Sequence, residues 1–217
     1  MAIKINNESW IRLSLHNHTT DQRNSSCSSL DPLRLVAFAA MARLDGVAIT
    51  EHSYEWTDYE LDKLRREALG NGYCRPDFLI FAGQEVCAKN GNGSHHALVF
   101  GCTRQIPDDM ILNELCDFVH QENAIVILAH PMKDSARIEN FWQYDADGVE
   151  VMHWKQDWRK VEGLLDLHKS NLARIGSDDA HEEAYIGVYC TLFPDWVKTK
   201  YDVIRAIKER RVRPHEL

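Results

Sequence analysis

Apolar residues fall along the chain in two patterns, and each predicts its own kind of element. Ile11 to Leu15, Val47 to Thr50, Phe78 to Val86, Ala97 to Phe100, Ala124 to Ala129, Gly148 to Val151, Ala173 to Gly176 and Ile186 to Leu192 are short, mostly continuous runs. They are too brief for stable helices and predict buried strands. The second pattern is helical: Leu33, Leu35, Val36, Phe38, Ala39 and Met41 recur behind Asp31-Pro32 and stop near Asp45-Gly46. Tyr59 to Leu69, Met110 to Gln121, Val161 to His168 and Tyr201 to Lys208 predict further helices. Asn90-Gly91-Asn92-Gly93 predicts a turn between two of the strands. Repeated strand and helix units imply a mostly parallel sheet, either closed as a barrel or open and doubly wound. In both architectures sites gather at the carboxyl ends of the strands.

Those ends are where the chemistry-bearing residues lie. His16-Asn17-His18 follows the first strand, and two imidazoles two residues apart on extended backbone project to one side, a chelating geometry. Glu51-His52, Glu85, His130, and Asp179 with His181 close later strands in the same manner. A single histidine is more often a surface or satisfied core residue than a ligand, and His120, His168 and His215 keep that reading. Burying this many imidazoles and carboxylates without partners would be costly, and shared cations remove the cost. Nitrogen and oxygen donors without cysteine suit manganese, iron or zinc better than a structural thiolate site.

Composition narrows the class. A length of 217 residues suits one domain over 1–217 with a well-buried core. No apolar run approaches the ~20 residues of a membrane span, and the first residues lack a signal-peptide pattern, so a cytoplasmic protein is expected. Six cysteines without C-x-x-C spacing predict mostly reduced thiols. A net charge of −8 argues against a broad nucleic-acid surface, although it leaves room for a local phosphate site and for bound cations.

In combination, His16-x-His18-Thr19, Ile49-Thr50-Glu51-His52, Gly83-Gln84-Glu85, Ala129-His130-Pro131 and Gly176-Ser177-Asp178-Asp179-Ala180-His181 resemble the PHP family, named for polymerase and histidinol phosphatase domains. The resemblance runs in order from about Leu13 to Gly187. It implies a distorted (β/α)7 barrel that holds two or three divalent ions and hydrolyses phosphoesters. By that analogy His16 and His18 share a first ion with Glu85 and Asp179. Glu85 bridges to a second ion held by His96 and His130, and His52 and His181 hold a third. Glu85, His52 and His181 are thereby the expected catalytic participants.

The chain also departs from the family pattern. Asp21 substitutes for the residue that usually completes the third site, and Glu51 replaces an aspartate expected to orient its neighbour. His96 is preferred to His95 because it opens the strand Ala97 to Phe100. Asp179 is preferred to Asp178 because its spacing to His181 puts both on one side.

The expected reaction is in-line attack on phosphorus by a metal-held hydroxide, with no protein nucleophile. Lys133, His153 and Lys155 lie where substrate phosphate contacts could form, and Trp154 or Trp158 could stack on a base. The Arg210-Arg211-Val212-Arg213 tail reads as a solvated end. The leading reading is a phosphatase or phosphodiesterase acting on a small phosphorylated metabolite or nucleotide. Its rivals are a nuclease trimming the end of a short oligonucleotide, a metal-dependent amidohydrolase, and a non-catalytic metal-binding or regulatory barrel.

Overall fold

A single sheet organises the molecule, and the arrangement of its strands decides which residues reach the site. The structure, a computed structural model, describes residues 3–5, 8–20, 28–52, 54–90, 93–104, 106–107, 109–133, 137–138 and 140–217. Asp21, Cys27 and the central Gly91-Asn92 of the expected turn lie outside them. Strands β1 (Ile3–Ile5), β2 (Glu8–Ser14), β3 (Gly46–His52), β4 (Leu79–Asn90) and β5 (Gly93–Phe100) form the first half. The second half comprises β6 (Ile125–Leu128), β7 (Gly148–Met152), β8 (Ala173–Gly176), β9 (Tyr189–Pro194) and β10 (Arg213–Glu216).

Neighbours follow the order β10-β9-β2-β3-β4-β5-β6-β7-β8, with β1 paired to β2. From β2 to β8 seven strands succeed one another, parallel except that β5 is antiparallel to both β4 and β6. The sheet then curls almost shut. Thr191 Oγ1 accepts from Gly176 N at 3.1 Å and donates to Gly176 O at 2.8 Å, joining β8 to β9, which itself pairs antiparallel with β2. A Cβ at Gly176 would collide with the Cys190 carbonyl oxygen, so the approach of these two backbones requires glycine. This is the distorted seven-stranded barrel that the sequence resemblance implies.

Helices α1 (Pro32–Met41), α2 (Asp58–Gly70), α3 (Leu112–His120), α4 (Trp158–Leu167) and α5 (Lys200–Lys208) match the predicted segments to within a few residues. Their starts are set locally. The Asp31 side chain accepts from Leu33 N and Arg34 N ahead of Pro32, and Thr57 with Glu60 and Thr199 with Asp202 form reciprocal capping boxes.

Strand alternation sorts the core into an interior and an outer layer. Leu13, Ala48, Phe81, Leu98, Phe100, Ile127 and Ile175 pack inside the barrel, together with Val203, Ile204 and Ile207 of α5. Val47, Ile49 and Ile80 face α1 and α2, whereas Val99, Val126, Val149 and Val151 face α3 and α4.

Two differences from the sequence reading have physical causes. The β4–β5 hairpin extends well past the expected Val86 and Ala97, because antiparallel pairing continues from Val86↔Ala97 out to Asn90↔Gly93. The arginine tail is solvated as expected, with Arg210, Arg211 and Arg213 exposed, but it also leads into a strand. Arg213 opens β10, which pairs with β9, and its guanidinium lies 4.9 Å from the Trp10 ring centre. No described helix is long and apolar enough to cross a membrane.

Candidate metal centre

The carboxyl end of the barrel collects the ligand-type side chains by simple register. On β3 and β4 the inward parity that places Ala48 and Phe81 in the interior also carries His52 and Glu85 inward, and the two residues are paired across the strands. Because β5 runs the opposite way, its first residues arrive at the same end, and His96 shares the inward parity of Leu98 and Phe100. His95 falls on the other face, on the parity of Ala97 and Val99.

Beyond β2 the chain stays extended. Asn17 Nδ2 donates outward to Ala48 O at 2.9 Å while His16 and His18 are fully buried within. The segment after β8 pairs with it, since His18 N donates to Ala180 O at 2.9 Å, and this brings Asp179 and His181 beside both histidines. His130 and Asp179 both take up positive φ, 30° and 49° respectively. Such backbone is unfavourable for a residue with a side chain and is held here by the surrounding structure, as functional sites often require.

Three overlapping donor groups result: His16, His18, Glu85 and Asp179; Glu85, His96 and His130; and His18, His52 and His181. Within each group the donor atoms all lie within 4.8 Å of one another. Glu85 joins the first two groups: its Oε2 is 3.1 Å from both His18 Nε2 and His52 Nδ1, and its Oε1 is 2.7 Å from His96 Nδ1. His52, His96 and His181 are about a quarter exposed, so the cluster opens to solvent on their side.

These contacts do not satisfy one another as hydrogen bonds. Glu85 Oε1, His96 Nδ1, His18 Nδ1, Glu51 Oε2 and both ring nitrogens of His130 are buried without a hydrogen-bond partner. Lone pairs converging this closely in a buried space fit a shared cation.

Protonation tells the same story. Burial alone would depress the His16 pKa, but Glu150, Glu85 and Asp179 outweigh it and raise the value to about 10. His18 is likewise raised against its burial by Asp179, Glu51 and Glu85. Burial would raise the Glu85 and Asp179 pKa values, and the neighbouring imidazoles, His16 foremost, hold both well below the usual range. Without metal, protons on His16 and His18 supply the positive charge that the carboxylates demand. At the open side burial lowers His52 to about 4 and also lowers His181, leaving neutral imidazoles suited to coordination.

Glu150 was given no role in the sequence reading, yet it is fully buried at the heart of the site. It accepts from His16 Nδ1 at 2.9 Å, from His130 N at 2.8 Å and from the Ser177 hydroxyl. This fixes the His16 tautomer so that the Nε2 lone pair faces the cluster. Glu150 alternates with Val149 and Val151, whose outward packing sends the carboxylate into the barrel. Glu51 accepts from Thr19 N at 2.9 Å with Oε2 3.8 Å from His18 Nδ1, the position of a residue that orients its neighbour.

Among the remaining candidates, Asp178 stands apart from the cluster and accepts from Gly187 N and Tyr189 N at 2.7 Å each. His153 is buried 3.8 Å from Asp179 Oδ2, and the Lys155 amine contacts that same carboxylate. Lys133 turns the chain after His130, and among the described residues its amine forms no ion pair. Trp158 packs into the outer core rather than facing the site.

The PHP-associated family model matches residues 167–212. No curated protein matches the chain. Among solved structures, a two-domain protein from Bacteroides vulgatus containing a predicted PHP-like metal-dependent phosphoesterase superposes with a TM-score of 0.71 at 15% identity, covering 100% of this chain and 67% of that one. An amidohydrolase from Chromobacterium violaceum, with bound sulfate and no metal, gives 0.60 at 14% identity over 90% of this chain and 96% of that one. The lesion-specific endonuclease PfuEndoQ from Pyrococcus furiosus gives 0.61 at 16% identity over 92% of this chain and 56% of that one. At such identities the likeness lies in the fold. The PHP-associated model covers the segment 167–212, and the barrel is similar to that of a protein containing a PHP-like domain.

Proposed function

We propose that the chain is a metal-dependent hydrolase of phosphoesters, with a small phosphorylated metabolite or nucleotide as substrate. The observation that carries this reading is the overlap of three donor groups, two sharing Glu85 and two sharing His18, with buried nitrogen and oxygen atoms left unpaired. His16, His18, Glu85 and Asp179 would hold one divalent ion, Glu85, His96 and His130 a second, and His18, His52 and His181 a third. Manganese, iron or zinc suits this donor set. Such ions supply Lewis acidity, which neutralises phosphate charge and makes water nucleophilic near neutral pH.

The chain's own groups do the positioning. Glu150 keeps the His16 Nδ1 proton engaged so that Nε2 stays free, and Glu51 steadies His18. His153 adds a donor. Its Nδ1 accepts from Lys155 N at 3.0 Å, and burial lowers its pKa to about 3, so the neutral ring carries its proton on Nε2. That N–H lacks a hydrogen-bond partner and is free to donate to a phosphate oxygen or to the departing oxygen. The Lys155 amine, beside Asp179, adds a positive charge for the same phosphate. Lys133 is the more peripheral contact.

The endonuclease likeness supports keeping a nucleic-acid end as the second reading. Metal-stripped protein reconstituted with manganese, iron or zinc should hydrolyse at least one of a nucleotide, a nucleoside bisphosphate and a short labelled oligonucleotide, and should be inactive when stripped. Turnover of amides but not phosphoesters by the reconstituted protein would refute the reading and favour the amidohydrolase alternative. Metal binding with no turnover of either would favour the non-catalytic one.

A further inference from the structure

An aromatic platform stands at the rim of the metal centre, on residues that the chemistry above does not use. Trp154 is the second residue after β7 and is 43% exposed, unusual for so large an apolar side chain. Its ring is nevertheless fixed in place. The indole Nε1 donates to Asp178 O at 2.7 Å, and Tyr185 stacks on it with ring centres 4.7 Å apart and planes 7° from parallel. Two chain-distant elements, the loop after β7 and the turn Glu183–Tyr185, are therefore joined through a face-to-face ring stack.

The platform is tied to the reacting end of the site by Lys155 and by His153, whose ring lies nearly parallel to the indole with centres 6.2 Å apart. The Lys155 amine lies 4.9 Å from the Trp154 ring centre and also contacts Asp179, a member of the first donor group. The Lys155 ammonium thus bridges the stacked pair and the donor cluster. His153, on the other side of Trp154 in sequence, points its ring at the cluster, with its centre 5.3 Å from that of His130.

We propose that Trp154, backed by Tyr185, is the specificity-determining subsite for the leaving group and takes the planar base of a nucleoside phosphate. The phosphate then lies between Lys155 and the donor cluster. An exposed, pre-fixed aromatic pair offers a π-face to any base at little ordering cost. An aliphatic sugar or polyol phosphate gains nothing from it. The inference rests on the proposed phosphoester hydrolysis and narrows its substrate to nucleotides, either free or at the end of a strand.

The test compares wild type with W154A and W154F, all loaded with manganese, on a nucleoside monophosphate, a 5′-phosphorylated dinucleotide and glycerol phosphate. The expected result is that W154A lowers the kcat/KM ratio of nucleotide to glycerol phosphate roughly five- to hundredfold, the usual worth of one stacked base. W154F also lacks the bond to Asp178 O but keeps a ring, and it should retain most of the preference. A larger loss on the dinucleotide than on the mononucleotide would identify a strand end as the source of the base. A second readout is independent of turnover. Titrating metal-free wild type with the nucleoside monophosphate should quench indole fluorescence by a component absent from W154F. If W154A lowers activity on all three substrates alike, or if the quench is the same in W154F, the subsite is overturned while phosphoester hydrolysis stands. If no phosphoester is turned over, the functional reading fails, and the quench alone decides the subsite.

Discussion

Replacing Glu150 with glutamine removes one charge from a fully buried position and changes almost nothing in volume. Its two oxygens serve three donors: Oε1 takes His16 Nδ1 and the Ser177 hydroxyl, and Oε2 takes His130 N. A glutamine has one acceptor oxygen and one NH2 group, so either placement sets a donor against a donor. With nitrogen toward His130 N, the strained backbone at that residue loses its anchor. With nitrogen toward His16, the imidazole is driven to the other tautomer, and the proton moves to Nε2, the atom that faces Glu85 at 3.3 Å and Asp179 at 3.5 Å. A protonated Nε2 cannot coordinate. The expected loss is ten- to hundredfold in metal affinity, or about 1.4–2.7 kcal/mol. Competition against a chelator of known affinity, with bound metal read by mass spectrometry, measures it, and circular dichroism verifies that the variant is folded. Glu150→Ala is the less informative change, because it leaves all three donors unpaired at a cost of about 1–3 kcal/mol each and threatens the fold itself. A folded Glu150→Gln protein that binds manganese within twofold of wild type would refute the assignment of Glu150 as the group that orients His16.

Further outcomes follow from the same geometry. In the metal-free protein His16 has its pKa raised to about 10, so at pH 7.5 it holds a proton that coordination must displace. Calorimetric titration with manganese in buffers of different ionisation enthalpy should therefore register proton release and an affinity that climbs with pH; a pH-independent affinity would contradict the charge balance described. The same raised pKa stabilises the metal-free fold fully below the ordinary value of 6.5, and that contribution is lost as pH rises through about 10. Urea denaturation should show the metal-free protein weakening across this window while the loaded protein does not. Gly176→Ala should cost about 1–3 kcal/mol by pushing β8 from the Cys190 carbonyl, as an equilibrium unfolding curve would register.

Much of the site could be read in the sequence because ligand-type residues sit at the ends of apolar strands, where a barrel must bring them together. His16, His18, His52, Glu85, His130, Asp179 and His181 are of this kind. Choices between neighbours were harder, and strand parity settles the placement of His95 and His96 only once the antiparallel direction of β5 is known. That direction was the least legible feature of the fold. A long hairpin and a pair of ordinary parallel strands share the same apolar pattern. Glu150 escaped notice because one acid inside Gly148 to Val151 looks like a solvent-facing residue of a half-buried strand. Only the outward packing of Val149 and Val151 on α3 and α4 shows that its side chain points inward. β10 was missed for a different reason. Its charged residues carry no apolar run, and the strand exists through pairing with β9 and the seating of Arg213 on Trp10.

Anomalous diffraction from crystals grown with manganese tests the central claim most directly, because it locates cations without assuming any activity. The expected result is at least two strong peaks within coordination distance of the donors, one among His16, His18, Glu85 and Asp179 and another among Glu85, His96 and His130. Strong peaks elsewhere, with the buried donors around Glu85 holding no ion, would contradict it.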